Sequence, residues 1–265
     1  GYVDLMFKTD SIAPEQIPYL GLLKSVLGYV DTENYTYGEL FNEINANTGG
    51  INCGVEVFDR ADSTEEFQAM FSVRGKALYT KMDFLFKMIG EILNSSKLED
   101  TKRLYEIVAS VKSRAQVNLT GAGHSTAVLR AAAYSSPMAA FQDEMAGIGY
   151  YQFIEKLEKD FEQRKEETVE ELCKLMKKIL RPENFMISYT GERESLETVQ
   201  KLAGAVKAGL GTEPVEKSEE KLTCTKKNEG FKTSGQVQYV AQTGNFKKKG
   251  LEYTCLLYTS PSPRD

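Results

Sequence analysis

The sequence predicts an α+β fold in which a twisted, mostly antiparallel sheet packs in two layers against helices. Three observations predict it. Short segments near residues 3–7, 51–57, 67–73 and 185–189 alternate apolar and polar side chains with a period of two, as half-buried strands do. Longer runs between them repeat apolar residues every three or four positions, the mark of amphipathic helices. Two of the strand segments are separated only by a polar turn at Asp59 to Glu65, which makes them an antiparallel hairpin.

Each element follows in order. Val3, Leu5 and Phe7 alternate with Asp4, Met6 and Lys8, giving the first strand. Ala13-Pro-Glu15 is a helix start, and Ile17, Leu20, Leu23 and Leu27 form a stripe that ends at Gly28. Leu40, Phe41 and Ile44 carry a second helix from Tyr37, stopped by Asn47-Thr-Gly-Gly50. Ile51, Cys53, Val55 and Val57, then Phe67, Ala69, Phe71 and Val73, are the hairpin strands. Helices follow through Met82, Leu85, Phe86, Ile89 and Leu93, and through Leu104, Ile107, Val108, Val111 and Ala115.

Gly121 to Ser136 is rich in Gly, Ala and Ser, which permits close helix approach, and Ser136-Pro137 breaks it from the next helical run. One long helical run is expected from Phe153 to Leu180, its charged residues marking a solvated face. Phe185, Ile187 and Tyr189 form another strand, and a helix follows from about Ser195 to Leu210. The helices of the 80s, 100s and 160s are expected to cover one face of the sheet. Residues 1–211 thus form one α/β domain with its helical region, and 212–233, polar and Lys/Glu-rich, a linker. Residues 234–254, with Val237, Tyr239 and Ala241 alternating, open a following domain. The last stretch, 255–265, changes composition abruptly and is set aside as a non-native tail resembling adaptor read-through.

Composition excludes several functions. The 33 basic and 38 acidic residues are interleaved, so no basic face speaks for nucleic acid. No apolar run is long enough to cross a bilayer, and a cytosolic or organelle-matrix location fits. Cys53, Cys173, Cys224 and Cys255 are far apart, with no Cys-x-x-Cys, and read as isolated buried thiols.

His124 is the sole histidine, so neither His-x-x-Glu-His nor its inverted form can exist in this chain. A Ser–His–Asp set lacks a Gly-x-Ser-x-Gly elbow. Gly121-Ala-Gly-His-Ser125 lacks the Lys-Ser/Thr of a phosphate loop, and reads as a turn at a helix start, with His124 or Ser125 capping or bonding locally. The paired carboxylates Glu65/Glu66 and Glu166/Glu167 sit in polar surroundings, which makes them solvated surface. Tyr150, Tyr151 and Phe153 fit either a peptide-binding wall or core packing, and such aromatics usually bury. No catalytic, cofactor-binding or metal-binding residue is assigned.

Taken together, Gly1-Tyr-Val-Asp-Leu-Met-Phe-Lys-Thr-Asp10 through Tyr19-Leu-Gly-Leu-Leu23, Asn47-Thr-Gly-Gly-Ile51, Phe71-Ser-Val-Arg-Gly-Lys76 and the block Gly123-His124, Arg130-Ala131, Ser136-Pro137, Gly147-Ile-Gly-Tyr-Tyr151 resemble one family. It is the presequence-protease branch of the pitrilysin/insulinase zinc metallopeptidases. The resemblance covers about residues 1 to 254 and is specific only in combination. It implies four related α/β domains in two halves that close over a peptide, with zinc held by His-x-x-Glu-His and a downstream Glu in the first domain. By position this chain resembles the third domain with its helical region and the beginning of the fourth, whose substrate-contacting Arg and Tyr lie beyond the stretch present here. The resemblance therefore implies a non-catalytic chamber wall in an ATP-independent endopeptidase that degrades short unstructured peptides. Its partners are the N-terminal catalytic half and peptide substrates, and its zinc is bound by that half. The alternative is a segment of an inactive family member serving as a scaffold or processing-complex subunit.

Overall fold

Tyr2–Lys8 (β1), Ile51–Asp59 (β2), Phe67–Lys76 (β3) and Phe185–Thr190 (β4) form one antiparallel sheet in the order β2-β3-β1-β4. The computed structural model describes residues 1–254 apart from 61, 219, 221, 234, 235 and 253. Register explains why the alternation works. Leu5 sits opposite Val73 and Ile187, and Phe7 opposite Phe71 and Phe185, so apolar side chains of neighbouring strands fall on one face. Leu5, Phe7, Phe71 and Val73 are fully buried there.

Helices cover that face. Ile17–Val26 (α1) is buried almost all round and meets β2, while Met82–Ser95 (α3) and Leu196–Ala208 (α9) pack together over β3 and β4. Tyr37–Asn47 (α2) begins where expected, because Thr36 and Glu39 satisfy each other's backbone amides at 3.3 and 2.9 Å. The expected cover by the 100s and 160s helices is corrected. Thr101–Gly121 (α4) and Phe161–Ile179 (α8) pack on other helices, α8 mainly on α1 and α4 partly on α1 but chiefly on the helix after residue 147. Periodicity says that a face is buried and is silent about what buries it.

Two further expectations change. The single run from 153 to 180 is two helices, Ile148–Lys159 (α7) and α8, separated at Asp160. Ile154, Leu157 and Phe161 keep helical spacing across the break and are all buried, so spacing alone hides it. The alternating residues Val237, Tyr239 and Ala241 form no strand, and among the described residues no strand pairs with their backbone groups. Gly123–Ala133 (α5) and Pro137–Ala146 (α6) complete the helical region, with the Ser136 hydroxyl capping α6.

The described residues between 212 and 250 have little regular structure yet are fastened to the domain. The Glu213 carbonyl accepts from Arg181, the Ser218 amide donates to the Ser11 carbonyl, and Leu222 packs against the core. Lys248 bonds the Ser135 carbonyl and pairs with Glu65 in the turn between β2 and β3. The tail 255–265, with Cys255, lies outside the described residues.

Candidate functional site

The block singled out in the sequence folds into one charge cluster. Arg130 on α5 donates from Nη1 to Asp143 Oδ2 at 2.6 Å, and from Nε and Nη2 to the Glu229 carboxylate at 2.8 and 3.2 Å. The Tyr134 hydroxyl also donates to Glu229. Asp143, on α6 and almost wholly buried, accepts in addition from the amides of Ile148 and Gly149 at 3.0 and 3.1 Å. It thereby satisfies the free N–H groups at the start of α7, where a negative charge also meets the helix dipole favourably.

This explains Gly147-Ile148-Gly149. A side chain at Gly147 would collide with Asp143, and one at Gly149 would lie 2.7 Å from a Glu144 carboxylate oxygen. The glycines let a carboxylate reach the backbone.

The electrostatics are those of a closed structural node. Hydrogen bonds from Arg130, and then from Tyr134, hold the Glu229 carboxyl below the usual glutamate range. Burial, then the neighbouring Asp143 charge, pushes the Glu144 carboxyl up. Arg130, Asp143 and Glu229 each already have charged partners, and the node holds no nucleophile.

His124 lies apart from it, exposed on α5 with the Tyr239 ring 6.1 Å away. The expectation that His124 or Ser125 caps this helix is corrected: Ala122 occupies the cap position, and no side chain bonds there. Among the described residues no group of three His, Cys, Asp or Glu is placed to hold a metal. Cys53, Cys173 and Cys224 are free and half-buried, and burial pushes the Cys53 thiol up to about 12.

The remaining sequence candidates are accounted for. Tyr150 is buried and Phe153 packs edge-on against Tyr19 with ring centres 4.8 Å apart, the core reading. The Tyr151 hydroxyl bonds Glu155 on the surface. Glu167 accepts from Arg164 and Tyr19, and Glu65 pairs with Lys248. Sequence reasoning missed Asp143 and Glu229. An acid four residues before the first glycine of a helix break was the available signal for Asp143, and Glu229 had none.

On the open face of the sheet, Asp4 Oδ2 accepts from Arg74 Nε at 2.8 Å, and Arg74 Nη2 reaches Glu56 at 3.2 Å. They stand beside a shallow cleft of about 400 Å³ that also takes in Tyr2, Asn52 and Ser188.

Comparison with known proteins decides the family. Residues 1–157 match the peptidase-associated family of the M16 peptidases, subfamily C. The chain belongs to this family. This peptidase-associated chain is 34% identical over 253 residues to Protein HypA of Clostridium perfringens, covering 96% of this chain and 26% of that protein. It is 26% identical over 255 residues to Presequence protease 1, chloroplastic/mitochondrial, of Arabidopsis thaliana, covering 95% and 23%. It thus spans about a quarter of the length of these curated relatives. A protease from Helicobacter pylori shares the fold, with a TM-score of 0.50 at 13% identity over 83% of this chain and 48% of that one. The chain is therefore a peptidase-associated segment of the M16 peptidase family, and no described helix in it is long and apolar enough to cross a membrane.

Proposed function

We propose that the chain is the chamber-forming, non-catalytic segment of the C-terminal half of an ATP-independent zinc metalloendopeptidase that degrades short unstructured peptides. The observation that carries this reading is colinearity: 95% of the chain aligns with 23% of a presequence protease. Zinc would then belong to the N-terminal half of the same polypeptide, where it would supply Lewis-acid activation of water and of the scissile carbonyl. This chain's part is to close a wall over the peptide and limit what enters, in the cytosol or an organelle matrix.

The test is the longer polypeptide, read upstream of Gly1. Its sequence should contain His-x-x-Glu-His, and the purified protein should cleave a quenched unstructured peptide in a chelator-sensitive way. A longer protein that lacks the motif and leaves the peptide intact is the scaffold alternative.

A further inference from the structure

β2 is an edge strand, and it is an unguarded one. Edges are commonly protected by shortness, Pro, Lys or a bulge. Ile51-Asn-Cys-Gly-Val-Glu-Val-Phe-Asp59 has nine residues and neither Pro nor Lys, and it pairs in unbroken register with β3. Among the described residues no backbone hydrogen bond reaches its outer side. The other edge, β4, is only six residues long.

A groove of about 510 Å³ runs beside β2 from Gly50 to Glu56. Its apolar wall includes Tyr29 and Phe41, both about half exposed, together with Ile44 of α2. Two cations complete the lining, Lys24 from α1 and Arg114 from α4. Neither forms an ion pair among the described residues. Burial alone lowers the Lys24 ammonium, so its charge is partly stripped of water without a carboxylate in return. Glu56, the acid in this lining, is already paired with Arg74.

We propose that this groove binds an extended, carboxylate-bearing peptide segment, which adds as a fifth strand to the outer edge of β2 and presents its acidic group to Lys24 and Arg114. Backbone pairing along the edge supplies sequence-tolerant affinity, the aromatic wall takes an apolar side chain, and the two cations select acidic chain. The proposal rests on the reading above only in taking peptide as the ligand, and it gives the wall a preference of its own.

The test is binding to this chain, without zinc or turnover, so its failure and the failure of the peptidase reading are seen separately. The probe is fluorescein-labelled Thr-Val-Glu-Val-Thr-Val-Glu-Val, measured by anisotropy, with two comparators: Lys in place of each Glu, and N-methylated amides at alternate positions. The acidic peptide should bind and shift the backbone amide resonances of Ile51 to Val57. Both comparators should bind at least about tenfold more weakly, the loss of one charge-assisted or several backbone hydrogen bonds. Lys24→Gln should cost about the same factor. Arg114→Gln, at an exposed position on α4, serves as the second variant if Lys24→Gln disturbs folding. Absence of binding, equal binding of the acidic and basic peptides, or amide shifts away from β2 would overturn the proposal.

Discussion

Asp143 answers two backbone amides and a guanidinium from a position almost without exposed surface, so its side chain cannot be truncated without a large penalty. Asp143→Ala should cost about 3 kcal/mol, because it strands Arg130 and the first amides of α7 together. Urea unfolding followed by circular dichroism checks the value, and a loss under about 1 kcal/mol would refute the node. Glu229 adds a pH dependence. Its carboxyl is held low in the folded state by Arg130 and then Tyr134, so its stabilisation is full above the ordinary glutamate value of 4.5 and drains away as the pH falls below it. Hydrogen exchange around residues 226–232 should accelerate below pH 4.5 before the sheet amides do. In Glu229→Gln the same stretch should exchange quickly at neutral pH as well. The sequence made Gly147 and Gly149 legible as a break and left Asp143 among ordinary surface acids, because a buried carboxylate and a solvated one are the same letter. Composition around Glu229 likewise says linker, while its partners lie 95 and 99 residues away.

Elements were legible wherever a single face decides them. The four strands stand where the period-two pattern placed them, since one buried face fixes both alternation and register. Stacking order was not legible, because an apolar stripe records burial and not the neighbour: α4 and α8 carry stripes fit for a sheet and meet helices instead, α4 chiefly α7 and α8 chiefly α1. The break at Asp160 was hidden because the stripe continues through it, and Val237 to Ala241 alternate without a partner strand among the described residues. The contact of α1 with α6 and α7 yields a prediction at this scale. A Cβ on Gly21 would lie 2.6 Å from the Met145 carbonyl oxygen and 2.7 Å from the Tyr150 ring. Backbone cannot yield as a side-chain tip does, so the helices must separate. Gly21→Ala gains helix propensity yet should lower stability by about 1 to 3 kcal/mol. A thermal melt at or above the wild-type midpoint would show that the helices tolerate separation.

At the level of the whole molecule, the distribution of chemistry matters more than any single residue. Peptide hydrolysis by a zinc enzyme needs three protein ligands and a water position, and a site with too few ligands neither retains the metal nor tunes its water. The only histidine lies on the exposed side of α5, and the three described thiols sit on β2, on α8 and in the irregular stretch after α9. Folding has brought charged groups together at Arg130, but as a mutually paired strut between helices and the following segment, the opposite of an open metal site. The chain by itself should therefore retain less than about 0.1 zinc per molecule after dialysis and show no chelator-sensitive cleavage of a quenched peptide, with His124→Ala unchanged in both. Stoichiometric zinc that disappears in His124→Ala without loss of fold would place a metal site on α5. Turnover by this chain that a chelator abolishes would move catalysis into the segment read here as a wall.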